Sequence, residues 1–177
     1  MNNLHHRRGT IPRLTLLLFS LLLLAACGFH LRGYHRPAHV AAASVYLETA
    51  DNGYIAQSVR DQLRSGDTQV VKKADDAQYV LRLTKQKLDR RVLSVSPKTG
   101  KAEEYELTLS TLMTVIGPGG EILADKEPVH ATRDYTFDAG AVLGKSSEEE
   151  VLQQDLADQI ADDILNRLDA LTQRSSQ

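Results

Sequence analysis

Histidine and cysteine, the side chains that most often bind metal ions or attack substrates, cluster near the start of the 177-residue sequence. His30, His35 and His39 lie within ten residues, but no acidic residue stands among them to complete a set of ligands. Cys27, the single cysteine of the chain, has a different explanation that follows from its neighbours. We therefore interpret the three histidines as part of a linker and predict no metal site.

Other residue patterns that serve catalysis are incomplete. The sequence has no Gly-x-Ser-x-Gly motif and no histidine after His130. The grouped acids at residues 103–104 and 148–150 are explained by the start of a strand and by the first turn of a helix. The glycine-rich segment at residues 117–120 contains proline, lacks the lysine of a phosphate-binding loop and precedes a strand pattern. We predict that the chain is not an enzyme and that it has no cofactor.

The first 27 residues have the pattern of an export leader that ends at a modified cysteine. The basic residues of this leader are His5, His6, Arg7, Arg8 and Arg13. The apolar run that follows, Leu14–Leu24, has 11 residues, whereas a permanent membrane helix needs about 20. Leu24-Ala25-Ala26-Cys27 is similar to the lipobox of bacterial lipoproteins, in which the cysteine is diacylated and becomes the mature amino terminus. We predict a signal peptide over residues 1–26 and lipidation of Cys27; the alternative is that Cys27 is only a small apolar residue.

Lipidation of Cys27 would define the location of the mature chain. Several acyl chains on one residue anchor a protein stably. Gly28 stands where lipoproteins retained at the inner membrane typically carry aspartate, which favours the outer membrane. One cysteine permits no intramolecular disulfide, so the fold must depend on its core. Without residues 1–26, the chain has 18 basic and 23 acidic residues and a formal charge of −5, which argues against nucleic-acid binding.

The first part of the mature chain predicts a linker, a strand and a helix. Residues 27–43 carry glycine, proline and basic residues without apolar periodicity, which is typical of a tether. Alternating residues around Val45 predict a short strand. An apolar residue at every fourth position from Ile55 to Leu63 predicts a helix over about residues 54–64.

The middle of the chain predicts a long hairpin followed by a further strand. Residues 79–95 begin with alternating apolar residues and become strongly basic over residues 85–91. A proline and a glycine place a chain reversal at residues 96–101, after which strict alternation resumes. The apolar face of this second hairpin strand consists of Tyr105, Leu107, Leu109, Met113 and Val115. Pro128 lies within the strand predicted for residues 121–137 and indicates an edge strand or a bulge.

The carboxyl-terminal part of the chain predicts one long helix. Ser146 or Ser147 is a suitable amino-terminal cap, with Glu149 or Glu150 three residues later. An apolar face of about six helical turns follows. Its members are Val151, Leu152, Leu156, Ile160, Ile164, Leu165, Leu168 and Leu171. Such a face must be buried against another layer of the protein.

These elements together predict an α+β fold. Two amphipathic helices pack on one face of a mostly antiparallel, mixed sheet and form a two-layer sandwich. The single domain is expected to span residues 44–172. Residues 173–177 are expected to be a disordered tail.

Residues 27–33, Cys-Gly-Phe-His-Leu-Arg-Gly, closely resemble the start of mature lipopolysaccharide-assembly lipoproteins of the LptE family. The predicted order of elements agrees with that family over essentially the whole mature chain, including a helix that ends near Gln62-Leu63-Arg64 and Glu104-Tyr105 after the hairpin turn. The resemblance implies a partner, the large outer-membrane β-barrel LptD, whose lumen the lipoprotein occupies as a plug. The two proteins form the translocon that places lipopolysaccharide in the outer leaflet.

The resemblance also implies a ligand-binding site. Members of the family are thought to contact lipopolysaccharide through basic residues near the hairpin tip and just before the last helix, where this sequence has Lys98 and Lys145. Ammonium groups are suited to the phosphates of lipid A, and Lys101, Arg90 and Arg91 would add to the same patch. The alternative is that Lys98 and Lys145 are ordinary solvated charges. The longer basic run, Arg82, Lys85, Lys87, Arg90 and Arg91, is expected to be a solvated strand face; the alternative is that it contacts a ligand or the barrel lumen.

We expect a non-enzymatic lipoprotein, anchored in the inner leaflet of the outer membrane, that plugs the barrel, assists its assembly and binds lipopolysaccharide for delivery. A polar sheet face and the net negative charge permit contact with a water-lined lumen. The alternative is a free-standing periplasmic lipoprotein that binds an envelope ligand or stabilises the envelope without a barrel partner. An envelope hydrolase would need a catalytic constellation that the sequence lacks.

Overall fold

The computed structural model describes residues 44–50, 52–66, 68–136 and 145–175. In chain order they form β1 (Ser44–Thr49), α1 (Tyr54–Ser65), β2 (Gln69–Val71), β3 (Tyr79–Val95), β4 (Ala102–Ile116), β5 (Ile122–Thr136) and α2 (Lys145–Ser175). Short 3-10 turns at Ala74–Asp76 and Pro118–Gly120 precede β3 and β5. The predicted signal peptide, Cys27 and the tether lie outside the described residues.

The described strands form one five-stranded sheet in the order β2-β1-β3-β4-β5. β1 runs parallel to both β2 and β3, whereas β3, β4 and β5 are antiparallel neighbours. Helix α1 connects β1 to β2, because parallel neighbours need a crossover connection. The tight turns after β3 and β4 explain the antiparallel part. The predicted α+β sandwich with a mixed sheet is confirmed.

The core lies between the two helices and one face of the sheet. Leu81, Leu107 and Met113 of the sheet are fully buried, as are Ile160 and Ile164 of α2. Burial of a side chain of this size stabilises a fold by about 1.5–3 kcal/mol. Helix α1 contributes Ile55, Val59 and Leu63, the residues whose four-residue spacing predicts the helix. Period two in the strands and period 3.6 in the helices therefore place the apolar residues on surfaces that face each other.

A buried polar junction joins α1 to α2 beside this core. The Ser58 hydroxyl, which is 3% exposed, donates to Asp158 Oδ1 over 2.7 Å. The Gln154 amide contacts both the Ser58 hydroxyl and Asp158 Oδ1 at 3.0 Å. The Gln62 amide donates to the Asp158 backbone oxygen over 3.3 Å. Because a buried polar group without a partner is costly, this junction favours one alignment of the two helices over others.

The end of the last helix differs from its prediction. Helix α2 extends to Ser175, so the expected disordered tail, residues 173–177, is wrong for its first three residues. The Gln173 amide donates to Asp169 Oδ2 over 2.7 Å. The Ser175 hydroxyl lies 2.8 Å from the Tyr79 hydroxyl, which holds the last helical turn against β3. These side-chain contacts stabilise a turn that has no apolar pattern of its own.

The first turns of α2 also depart from prediction. The helix begins at Lys145, one residue before the expected cap. Val151 is 60% exposed, so its assignment to the apolar face is wrong. Residues four positions apart lie on the same side of a helix, and Val151 shares its side with Asp155 and Gln159, which are exposed. The buried face is therefore narrower at this end than the sequence pattern indicates.

Strand β5 confirms both interpretations of its proline. Pro128 lies in the strand at the edge of the sheet, where a missing N–H is tolerated. The register between β4 and β5 also shifts just before it, and Lys126 there has a φ angle of 50°. The Lys126 N–H donates to the Thr114 hydroxyl over 3.1 Å, which satisfies a backbone group that the shift removes from the ladder.

Candidate functional site

The β3–β4 hairpin extends away from the main core and becomes exposed along its length. We call residues 85–106 the outer hairpin. Within it, the β3 residues are exposed except for Gln86 and Ser94, which are half-buried. Lys98 and most of the predicted basic run lie on this outer hairpin.

A β-bulge at Lys85 separates the outer hairpin from the inner part of β3. Thr84 pairs with Leu112 and Lys87 pairs with Ser110, so β3 has one extra residue between these two pairs. Lys85 has a φ angle of 55°, a left-handed conformation that costs a non-glycine residue about 1–2 kcal/mol. Because side chains alternate along a strand, the extra residue exchanges the two faces of β3 beyond this point.

This exchange of faces divides the predicted basic run. Arg82, Lys87 and Arg91 lie on the face away from the helices. Arg90 lies opposite Leu107, on the face that the helices cover. The residues of the run therefore lie on both faces of the strand and not on one, although Lys85, Lys87, Arg90 and Arg91 are all exposed to solvent as expected.

Most cations of the run have an acidic partner. On the face away from the helices, Arg82 Nε lies 2.9 Å from Glu48 Oε2, Lys87 Nζ lies 2.7 Å from Asp89 Oδ1, and Arg91 Nη2 lies 3.0 Å from Glu106 Oε1. Exposed ion pairs stabilise a fold by no more than about 1 kcal/mol each. Their acids nevertheless cancel much of the positive charge of the run. The run is therefore a weaker anion-binding surface than its composition indicates.

Arg90 joins the outer hairpin to the start of α2. Its guanidinium carbon lies 5.1 Å from the centre of the Tyr105 ring, and Tyr105 stacks on Tyr135 with ring centres 5.6 Å apart. Arg90 Nη1 lies 3.7 Å from Glu149 Oε2. The pKa of Arg90 is raised above its ordinary value, mainly by the nearby Tyr135 hydroxyl. Burial acts in the opposite direction but has the smaller effect. The contact between Tyr135 and Arg90 does not have the geometry of a hydrogen bond. The buried Tyr135 hydroxyl therefore has no hydrogen-bond partner among the described residues.

Lys98 lies at the tip of the outer hairpin, in the turn that the sequence predicts. The Ser96 N–H donates to the Lys101 carbonyl oxygen over 2.8 Å, and the Gly100 N–H donates to the Ser96 carbonyl oxygen over 2.8 Å. Gly100 has a φ angle of 68°, which glycine adopts without a steric penalty. Lys98 and Lys101 are both exposed, and neither is ion-paired with an acid of the described residues. The tip therefore presents two cations to a partner or ligand.

Lys145 is the first residue of α2, and its side chain lies outside the described part of the chain. Helix α2 starts beside the outer hairpin, where Glu149 meets Arg90, and ends beside the start of β3. Lys145 precedes Glu149 by about 6 Å of helix. The strand from Arg90 to Val95 covers about 17 Å before the turn that carries Lys98. The turn that carries Lys98 and the backbone of Lys145 therefore lie at different positions along the length of the hairpin.

Sequence reasoning missed the Arg90 cluster, although one signal for it was present. Leu83 and Leu88 share the helix-facing side of β3 although they are five positions apart, and an odd spacing between residues on one face indicates a bulge. Tyr105 belongs to the predicted apolar face of its strand, but its stacking on Tyr135 depends on strand register, which no local pattern specifies. The Arg90 contact with Glu149 joins residues that are distant in sequence.

The described residues include neither a candidate metal site nor a helix that could span a membrane. They contain no group of three histidine, cysteine, aspartate or glutamate side chains that could hold a metal ion. None of the helices they form is both long enough and apolar enough to cross a membrane.

The fold of this chain is also found in bacterial lipoproteins of known structure. The crystal structure of the rare lipoprotein B from Shewanella oneidensis is similar to this chain with a TM-score of 0.66 and 32% identity, and the match covers 76% of this chain and 99% of that one. Lipoprotein B from Nitrosomonas europaea has a TM-score of 0.68 at 24% identity, over 82% of this chain and 93% of that one, and supports the fold alone.

The family follows from the sequence comparisons. The model of the LptE family, described as lipopolysaccharide-assembly, matches residues 42–168. The LPS-assembly lipoprotein LptE of Pectobacterium atrosepticum is 31% identical over 84% of this chain and 80% of its own length. That of Photorhabdus laumondii is 32% identical over 88% and 84%. The chain belongs to the LptE family of lipopolysaccharide-assembly lipoproteins.

Family membership settles the broader predictions. The resemblance inferred from residues 27–33 and from the order of elements is confirmed. The prediction that the chain is not an enzyme is confirmed, because LptE is a non-enzymatic assembly lipoprotein. Membership also implies an outer-membrane lipoprotein.

Proposed function

We propose that this protein is the lipoprotein subunit of the lipopolysaccharide translocon, seated in the lumen of an LptD-like β-barrel, where it assists barrel assembly and contacts lipopolysaccharide. The family match over residues 42–168 supports the role in assembly. The outer hairpin is the observation that supports the further roles, because it is exposed along most of its length and its tip lysines have no ion pair with a described residue. A projection of this kind is suited to contact another macromolecule.

The proposed anchor is a lipid on Cys27. The lipobox pattern at residues 24–27 supports it, and residues 27–43 separate the anchor from β1. An extended chain of that length reaches about 56–61 Å, so an anchored domain could still enter a barrel. Metabolic labelling with a radioactive fatty acid tests the anchor, since the mature chain should be labelled and a Cys27→Ala variant should not. An unlabelled wild-type chain would contradict it.

The proposed barrel contact is supported by exposed apolar side chains on the outer hairpin. Leu88 is 39% exposed, Val92 49%, Leu93 41% and Val95 58%. Apolar side chains that are grouped on a surface often mark a site for a partner. The face of β3 away from the helices adds ion-paired polar residues, which suit a water-lined lumen.

The proposed lipopolysaccharide contact uses Lys98 at the tip and Lys145 at the start of α2. Lys98 is exposed and has no acidic partner among the described residues, so its charge is available to a phosphate group. Apart from Lys85 at the base of the hairpin, the tip lysines are the cations of the outer hairpin that have no ion pair with a described residue. Their separation from Lys145 favours contact with a ligand that has several anionic groups.

Copurification tests the barrel partner. The protein is extracted from membranes in mild detergent, captured through a carboxyl-terminal tag and analysed by mass spectrometry. We expect a large outer-membrane barrel protein in an amount comparable to that of the lipoprotein. A second variant, in which Val92 and Val95 are both changed to aspartate, should recover less of the barrel while it retains the native melting temperature. Recovery of the wild-type lipoprotein alone would contradict the proposal and favour a free-standing periplasmic lipoprotein.

A further inference from the structure

A cleft at the β2 edge of the sheet lies away from the outer hairpin. It is bounded by α1 on one side and by β1 and β2 on the other, and its volume is about 460 Å³. Its described lining includes three cations, Arg60, Arg64 and Lys72, together with Thr68 and with apolar or aromatic residues of β1 and β2: Tyr46, Leu47, Val70 and Val71. None of the lining residues belongs to β3 or β4. Any ligand of this cleft would thus be separate from one bound at Lys98.

The positive charge in the cleft is only weakly compensated. No carboxylate is among the described lining residues, and Asp67 lies outside the described part of the chain. Arg60 donates to the Asn52 amide oxygen over 3.2 Å, which uses one of the five N–H groups of its guanidinium. Arg64 reaches Asp61 only at 3.8 Å, and the two side chains are 65% and 60% exposed. Lys72 has no ion pair with another described residue.

Ordinary structural roles explain only part of this arrangement. Arg64 lies in the last turn of α1, where a cation offsets the partial negative charge of the helix end. That effect decays within one turn and does not account for Lys72, which follows β2. Arg60 and Arg64 are four residues apart and therefore project from the same side of α1, toward the strand end that carries Lys72. The mature chain is negatively charged overall, so three neighbouring cations at one cleft are not a consequence of composition.

We propose that this cleft binds a phosphate group. Two guanidinium groups offer planar forks that match the spacing of phosphate oxygens, and an ammonium group adds a compact charge. Three cations suit a group that carries up to two negative charges better than they suit a single carboxylate. The volume of the cleft exceeds that of a phosphate ion, so the phosphate would be part of a larger polar molecule. It is either a free phosphorylated solute or the headgroup of a phospholipid, and this inference does not depend on the barrel or lipopolysaccharide proposals.

Titration with inorganic phosphate tests the site. The mature chain with Cys27→Ser is followed at low ionic strength by two-dimensional amide NMR. We expect saturable shifts at Arg60, Arg64 and Lys72. The double variant Arg60→Gln, Arg64→Gln should bind at least ten-fold more weakly and keep the dispersed spectrum of the folded protein.

The matched control removes two positive charges elsewhere. The double variant Lys87→Gln, Arg91→Gln should bind phosphate as the wild type does, because these side chains are ion-paired on the hairpin. Equal losses in the two double variants would indicate a general charge effect and overturn the site. Shifts that do not saturate, or that persist without Arg60 and Arg64, would also overturn it.

Vesicles distinguish the two sources of phosphate. Vesicles that contain phosphatidic acid are compared with vesicles of equal surface charge that contain oleic acid, whose headgroup is a carboxylate. Binding to phosphatidic acid vesicles that is lost in the Arg60→Gln, Arg64→Gln variant identifies a lipid headgroup. Saturable binding of inorganic phosphate without vesicle binding identifies a free solute. Equal binding to both kinds of vesicle, retained in the variant, would contradict a phosphate site.

Discussion

The inner and outer parts of β3 belong to one continuous strand but have opposite surroundings. On the inner part, Tyr79, Leu81 and Leu83 are at most 4% exposed under the helices. On the outer part, Val92 and Val95 are 49% and 58% exposed. Both parts contain β-branched and long apolar side chains, so composition alone does not separate them. The helices and the bulge at Lys85 decide which apolar residues stabilise the fold and which remain available to a partner.

The largest expected effect comes from truncation of the core. Ile160→Ala removes a fully buried side chain between α2 and the sheet and should lower the free energy of unfolding by about 2–5 kcal/mol. Val92→Ala on the outer hairpin removes exposed atoms and should change it by less than about 0.5 kcal/mol. Urea unfolding followed by circular dichroism measures both variants. Similar losses would mean that the outer hairpin belongs to the cooperative core.

Removal of the polar junction between the two helices should have the second-largest effect on stability. Asp158→Ala removes the acceptor of the buried Ser58 hydroxyl and one of the two acceptors of the Gln154 amide, and should cost about 1–3 kcal/mol because the Ser58 hydroxyl is left without an acceptor. Asp155→Ala is the matched control, since this acid lies one turn earlier on the exposed side of α2. Its effect should be below about 0.5 kcal/mol. If the two variants unfold at the same urea concentration, the junction does not stabilise the helix pair.

The inner part of the molecule could be predicted from sequence because its signals are local. Ile55, Val59 and Leu63 define a helix face within three turns, and alternation from Leu107 to Val115 defines a strand face. Pro128 indicates an edge strand by its missing N–H group. Each of these inferences depends on residues within one element. The structure confirms the elements for that reason.

The outer hairpin could not be predicted to the same extent, because its properties depend on pairs that are far apart in sequence. Strict alternation assigns Arg90 to a solvated face, whereas the bulge at Lys85 turns it toward Tyr105 and Glu149. The acid partners of Arg82 and Arg91 come from β1 and β4 and cannot be read from the basic run. Val151 shows the same limit in a helix, since an apolar residue is exposed where no layer covers it.

Charge reversal tests the proposed lipopolysaccharide contact, and its expected effect on the free energy of binding is smaller than the effects on stability described above. Lys98→Glu combined with Lys145→Glu should weaken binding of lipopolysaccharide several-fold, which corresponds to about 1 kcal/mol, while the melting temperature stays within a few degrees. Arg174→Glu makes a charge change of the same kind at the far end of α2 and should leave binding unaltered. Fluorescence titration with labelled lipopolysaccharide measures the affinity. Wild-type affinity in the double variant would reject the assignment of both lysines.

Substitution at the bulge should change the stability least, but it tests directly where the inner and outer parts of β3 meet. Lys85→Gly should stabilise the fold by up to about 1 kcal/mol, because glycine adopts a φ angle of 55° without steric strain. Lys87→Gly, two residues later in regular strand, should destabilise it by about 0.5–1 kcal/mol, because glycine there adds only backbone freedom to the unfolded chain. Thermal melts of the two variants should therefore shift in opposite directions. A loss of stability in Lys85→Gly as large as that in Lys87→Gly would mean that residue 85 is not left-handed in solution, and Arg90 would then have no reason to face the helices.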